Sequence, residues 1–193
     1  MKIIIITGPP FSGKGTQCKI WASKLGYFHI STGEMCRVEK FSNSKLGHLL
    51  CSFEEKGHLV PDEYMIQLLE ELFEPEHNHE NYILDGFPRT KLQVDILEAF
   101  AKKINATIDL VVEFKVEESE LLLRAESRAK KELRKDDALE SIRKERLHIY
   151  KSYTVPAIQY MQTKWKFETV KSNSTKDIMT EKLKVIFENH NIL

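Results

Sequence analysis

Gly8-Pro9-Pro10-Phe11-Ser12-Gly13-Lys14-Gly15-Thr16 follows the apolar run Lys2–Ile6 and opens the amphipathic stretch Lys14–Leu25. Gly8, Gly13 and Lys14 fall at the spacing of a phosphate-binding loop, with Gly15-Thr16 in place of an immediate Ser or Thr. Each residue type answers a chemical need. Glycine lets backbone N–H groups approach a phosphate, and the start of a helix adds partial positive charge. Lys14 brings a flexible full charge to the terminal phosphate oxygens. A glycine-rich turn into an ordinary helix is the bland alternative. The strand pattern before this segment and the helix pattern after it favour the phosphate loop, with Phe11, Ser12, Gly13, Lys14, Gly15 and Thr16 as its candidate contacts.

Beyond the loop, short apolar runs alternate with longer amphipathic stretches. The runs are Tyr27–Ile30, Tyr82–Leu84, Ile108–Phe114 and Phe167–Val170; the helical patterns cover Asp62–Phe73, Leu92–Ile104, Glu118–Lys131 and Asp137–Thr163. Continuous β-branched runs suit strands covered on both faces, and intervening helices imply parallel pairing with right-handed crossovers. The expected architecture is a P-loop NTPase-type α/β fold: a doubly wound, parallel, five-stranded sheet with helices on both faces, all within one domain spanning residues 1–193. Pro156 interrupts the last helical pattern and predicts a kink or a division there. Two segments break the alternation. Ser31–Val60 reads as a mostly helical flap, and the basic stretch around 124–136 reads as a second, shorter cover.

Lys plus Arg and Asp plus Glu number 29 each, so the formal charge is zero. A neutral total argues against a general nucleic-acid or acidic-membrane binder. Cys18, Cys36 and Cys51 form no CxxC pair, so neither a disulfide framework nor a zinc site can be read from them. Reduced thiols, two of them on half-buried helix faces, in a cytoplasmic protein are the plain expectation. Residues 1–6 are too short to span a membrane and lack the features of a secretory signal. The histidines His29, His48, His58, His77 and His79 show no ligand spacing and read as structural or exposed.

Three further blocks follow the loop in order: His29-Ile30-Ser31-Thr32-Gly33-Glu34-Met35-Cys36-Arg37, Gly57-His58-Leu59-Val60-Pro61-Asp62-Glu63, and Leu84-Asp85-Gly86-Phe87-Pro88-Arg89-Thr90 with Gln93 beyond. Together they resemble the nucleoside monophosphate kinases, and adenylate kinases in particular, over nearly the whole chain. The resemblance implies transfer of the γ-phosphoryl group of Mg-ATP onto AMP, giving two ADP. Thr32 and Gln93 would then hydrogen-bond adenine, and the flap residues His58, Leu59 and Val60 would close over base and ribose, beside Gly86, Phe87 and Pro88. Arg37 and Arg89 would grip the AMP phosphate, a task suited to the planar guanidinium fork. Asp85, at the C-terminal end of an apolar run, can hold the water shell of Mg²⁺, with Thr16 beside it. Singly, each has a plainer reading. Asp85 and Thr32 are both competent helix caps, and an arginine in so charged a chain is by default solvated.

By the same resemblance Arg124 and Arg128 face ATP and the moving phosphoryl group, while Arg134 and Arg146 face AMP. Such cations neutralise the charge that two nucleotides bring together, and no general base is required. Only five residues separate Arg128 from Arg134, so the lid is expected to be a short loop without structural zinc. Two departures stand out. Phe11 occupies a position where the family nearly always has glycine, so its backbone is expected to avoid positive φ. Arg146 lies one residue later than the usual interval, Glu145 takes the strict position, and Arg143 is an alternative. A monomer acting on ATP and AMP is the leading reading. A UMP/CMP kinase, or a nucleotide-binding regulatory protein with weakened catalysis, remains the alternative; Thr32, where UMP/CMP kinases carry a smaller residue, favours AMP.

Overall fold

The computed structural model describes residues 1–35, 52–53, 56–72, 79–132 and 139–193. Five parallel strands form one sheet in the order β2-β3-β1-β4-β5: β1 Lys2–Thr7, β2 Phe28–Ser31, β3 Asn81–Asp85, β4 Thr107–Lys115 and β5 Phe167–Lys171. All five match the apolar runs, four of them extended by one or two residues and β2 shifted by one. The helices are α1 Lys14–Leu25, α2 Asp62–Leu72, α3 Lys91–Lys103, α4 Glu118–Glu132, α5 Glu140–Ile149, α6 Val155–Lys164 and α7 Lys176–Asn189.

The alternation of β1 divides the core into two layers. Ile3 and Ile5 face a cluster with Tyr82, Leu84, Val94, Leu97, Val111, Ala157 and Met161, covered by α2, α3 and α6. Ile4 and Ile6 face the other side, among Cys18, Trp21, Ile83, Val112, Phe114, Leu183 and Phe187 from α1, α7 and the neighbouring strands. Because both layers are apolar, strands buried on both faces read as unbroken β-branched runs. All strands run the same way, so their C-terminal ends gather at one edge, where open α/β sheets bind ligands.

Three points refine the sequence expectations. The last helical pattern, Asp137–Thr163, is divided just before Pro156, in keeping with the expected kink or division. Residues 137 and 138 lie outside the described residues, and a π-helical turn over Tyr150–Thr154 separates α5 from α6. Pro156 sits in the first turn of α6 and lacks an N–H, while the Val155 N–H reaches five residues back to the Tyr150 carbonyl. Secondly, α7 adds a helix beyond the patterns named above. Its signals are present: Thr175 caps it through the Ile178 N–H, and Met179, Leu183 and Phe187 recur at helical spacing and are buried. Thirdly, of the three cysteines, two of which were expected on half-buried helix faces, Cys18 is fully buried, and Cys36 and Cys51 lie outside the described residues.

Candidate active site

The cleft is built on the strand ends. Asp85 closes β3 and is flanked by Ile6 of β1 and Ser31 of β2. The turn after β1 can pass over the sheet only because Gly8 has no side chain: a Cβ there would stand 2.7 Å from the Phe114 carbonyl oxygen, at φ +142°. The chain then enters α1 at Gly13, with no side-chain cap. The N–H groups of that first turn are therefore left for a ligand, at the positive end of the helix dipole. Lys14 donates from Nζ to the Pro9 carbonyl (3.3 Å). Burial lowers its pKa from the ordinary lysine value, against the attraction of Asp85 and with help from Arg89. For Asp85, burial acts upward, but His29, Lys14 and Arg89 outweigh it and hold the carboxyl below the usual range.

The turn after β3 assembles the second half of the cleft. The Gly86 carbonyl accepts from Arg89 Nε (2.6 Å) and from Thr32 Oγ1 (3.1 Å). A Cβ on Gly86, at φ +86°, would lie 2.8 Å from Arg89 Nη2 and 2.9 Å from Thr32 Oγ1, so any side chain would displace both. Thr90 caps α3 by accepting from the Gln93 N–H (3.1 Å). Gln93 is buried; its Oε1 accepts from the Arg89 N–H (2.8 Å) and its Nε2 donates to Asp62 (2.8 Å). The plain capping readings thus fail for two residues. Thr90, not Asp85, caps α3, and Ser31 Oγ, not Thr32, accepts from the Glu34 N–H at the start of the helical residues 32–35. Phe87 turns into the core, joined to Pro88 by a cis peptide bond.

Both halves open onto one cleft of about 570 Å³. Gly13, Lys14, Gly15 and Thr16 line it on one side, and Thr32, His58, Leu59, Val60, Gly86, Pro88, Arg89 and Gln93 on the other. Arg124, Arg128 and Arg146 reach it from α4 and α5, whereas Arg143 does not line it. Glu145 lies instead on a neighbouring hollow. Ser12 is buried beneath the loop, where its carbonyl accepts from Ser172 Oγ (2.9 Å) and Arg124 Nη1 (3.3 Å). Arg124 also pairs with Glu120 (2.7 Å) and donates to the Ser172 carbonyl (2.8 Å), so it clamps the loop to the end of β5. Arg37 and Arg134 lie outside the described residues, as do parts of the 31–60 flap and the 124–136 lid.

The expectation for Phe11 is overturned: its φ is +66°. The ring is buried against Leu121 and Ala125 of α4 and Leu147 of α5, with Val116 alongside. A left-handed backbone costs a non-glycine residue about 1–2 kcal/mol, and burial of a phenyl ring offsets more than that, at about 3 kcal/mol or above. Two variants separate the terms. Phe11→Ala loses the packing and keeps the strain, whereas Phe11→Gly loses the packing and releases the strain. In urea denaturation the order of stability should be wild type, then Phe11→Gly, then Phe11→Ala, with about 1 kcal/mol between the last two. A glycine variant less stable than the alanine variant would rule out the strain.

His29, expected to be structural or exposed, lies beside the cleft carboxylate. Its ring is mostly buried, and Nε2 stands 3.7 Å from Asp85 Oδ2. No local spacing announces this contact, because it depends on β2 lying beside β3.

A family pattern described as adenylate kinase matches residues 6–166. Among similar proteins named adenylate kinase, that of Bacteroides thetaiotaomicron is 36% identical over 174 residues, covering 90% of this chain and 92% of the relative. That of a Cyanothece species is 36% identical over 188 residues (97% and 96%). That of Azobacteroides pseudotrichonymphae is 37% identical over 186 residues (94% and 97%). The matched span takes in the phosphate loop, the Asp85–Arg89 turn and the arginines of α4 and α5, and the relatives align over nearly their whole length; the chain belongs to the adenylate kinase family.

Proposed function

We propose that the protein catalyses MgATP + AMP ⇌ 2 ADP. The observation that carries this is one cleft into which a phosphate loop and guanidinium groups from three separate elements converge. Two nucleotides meeting by their phosphates would repel strongly without such cations between them, and phosphoryl transfer depends mainly on alignment and charge neutralisation. In this reading the loop N–H groups and Lys14 hold the ATP phosphates, with Arg124 bracing the loop and Arg128 beside the transferring group. Arg89 grips the AMP phosphate, assisted by Arg37, Arg134 and Arg146. Arg146 is preferred to Arg143 because it lines the cleft. Thr32, Gln93 and the flap residues His58, Leu59 and Val60 enclose adenine and ribose, and an AMP phosphate oxygen is itself the nucleophile.

Mg²⁺ fits the donor set beside the loop. Asp85 is a buried carboxylate held ionised by its neighbours, its Oδ2 is packed against Gly15, where a Cβ would stand 3.0 Å away, and Thr16 offers a hydroxyl on the cleft wall. Hard oxygen donors of this kind suit Mg²⁺, with Asp85 acting through bound water. When bound, the ion neutralises charge on the β- and γ-phosphates. The flap at 31–60 and the lid at 124–136 would close over the substrates and exclude water, which competes as acceptor. A monomer in the cytoplasm is the setting we assign. No described helix is long and apolar enough to cross a membrane.

A coupled assay of ADP formation with AMP, UMP, CMP and GMP tests the reading. AMP should give the highest kcat/KM. Turnover of UMP at an equal or higher rate would identify a UMP/CMP kinase instead. Tight ATP binding without ADP formation would identify a regulatory nucleotide-binding protein.

A further inference from the structure

Behind the carboxylate that faces the cleft lie two side chains, Cys18 and His29, that the proposed reaction does not use. Cys18 of α1, His29 of β2 and Asp85 of β3 bring a sulfur, a nitrogen and an oxygen within 4.8 Å of one another. Cys18 is a free thiol with no exposed surface. His29 Nε2 is buried without a hydrogen-bond partner. Its 3.7 Å separation from Asp85 Oδ2 is too long for a hydrogen bond. That separation is close to the edge of a tetrahedron of ligands around one small cation, about 3.4–3.7 Å for bonds of about 2.1–2.3 Å.

We infer that Cys18, His29 and Asp85 form a binding site for one thiophilic divalent cation of the Zn²⁺ class, and that occupation of this site inhibits the enzyme. An ion at the middle of such a triangle stands no more than about 2.8 Å from each donor. Closing to Zn–S of about 2.3 Å and Zn–N or Zn–O of about 2.0–2.1 Å asks each side chain to move about half an ångström. The mixed S, N, O set suits Zn²⁺ or Co²⁺ and not Mg²⁺, which demands oxygen ligands. On binding, the Cys18 S–H bond breaks, the proton leaves to solvent, the sulfur electron pair forms the metal bond, and a water completes the coordination. Thiolate and carboxylate together carry two negative charges, so the loaded site is neutral, which its burial requires. The Lys14 ammonium, which acts on both Cys18 and Asp85, is turned to the Pro9 carbonyl of the loop.

Inhibition rests on the proposed role of Asp85 toward Mg-ATP: a carboxylate held by zinc on one side is withdrawn from the cleft on the other. The ligand site itself does not rest on that role. The test therefore has two arms, both on the full-length enzyme. In the first, Co²⁺ is titrated as a spectroscopic stand-in. Wild type should show a thiolate-to-cobalt absorption band saturating at one ion per chain. Cys18→Ala, which retains Cys36 and Cys51, should lack it, and His29→Gln should bind Co²⁺ about 10- to 100-fold more weakly. Cys18→Ser, close in volume, serves if the alanine variant folds poorly, and zinc-free activity reports the fold, since Cys18 touches no substrate. In the second arm, the Zn²⁺ concentration for half-inhibition should rise at least about tenfold in Cys18→Ala. A band absent from wild type, or unchanged in Cys18→Ala, would overturn the site. A band that behaves as expected without inhibition would leave the site standing and refute the Asp85 role.

Discussion

Arg89→Lys lowers kcat for ADP formation by about 100- to 1000-fold, with far less effect on folding. The guanidinium is fixed at both ends of its reach. Its Nε donates to the Gly86 carbonyl at 2.6 Å, and its own backbone N–H donates to Gln93. Nη2 lies so close over Gly86 that only glycine fits beneath it. The planar fork is thus pre-aimed into the cleft, with the geometry to pair two phosphate oxygens at once. A lysine ammonium is a point charge on a flexible stem. It keeps the attraction and loses the alignment, and alignment is what a phosphoryl transfer without a general base depends on. The fold loses the bond to Gly86, about 1 kcal/mol. Initial-rate kinetics beside a thermal melt make the comparison. A kcat within tenfold of wild type would take Arg89 out of the catalytic set.

Lys14→Met should abolish measurable turnover while leaving the melting temperature at pH 7 unchanged or higher. Burial lowers the Lys14 pKa in the folded protein. A lysine whose folded pKa lies below its unfolded value makes the charged form an expense to folding at neutral pH, removed only as the pH rises through the folded pKa toward the unfolded one. Methionine is of similar length and carries no charge, so that expense disappears. Asp85 loses one cation but retains His29 and Arg89. The lysine is therefore held against stability for the sake of the phosphates it meets, a trade seen where function and folding compete. A melting temperature lowered by more than about 5 °C, of order 1 kcal/mol or more for a domain of this size, would show that Lys14 supports the fold instead.

Much of this arrangement was legible before any coordinates. The five strands and the phosphate loop announce themselves because β-branched runs and glycine spacing are local, written within ten residues of chain. The turn after β3 was legible for the same reason: Asp85, Gly86 and Arg89 are near neighbours in sequence, and the backbone at Gly86 forces them together. Other features were not. Phe11 breaks the loop's usual glycine, and nothing local says that Leu121, Ala125 and Leu147 wait to receive its ring and offset a left-handed backbone. Pro156 predicts the division of the long helical pattern, yet not the π-helical turn before it, in which the Val155 N–H reaches the Tyr150 carbonyl. The helix α7 has adequate local signals, a capping threonine and a buried stripe at helical spacing.

By itself the sequence determined the fold class, the position of the phosphate loop and the arginines available to a second phosphate. Only the tertiary structure decided that Arg146 and not Arg143 lines the cleft, that Gln93 holds Arg89 and Asp62, and that Cys18, His29 and Asp85 share one buried corner. The reason is geometric. Local patterns set what each segment becomes, but strand order sets which side chains meet, and β2 reaches β3 only after an excursion of some fifty residues through the flap.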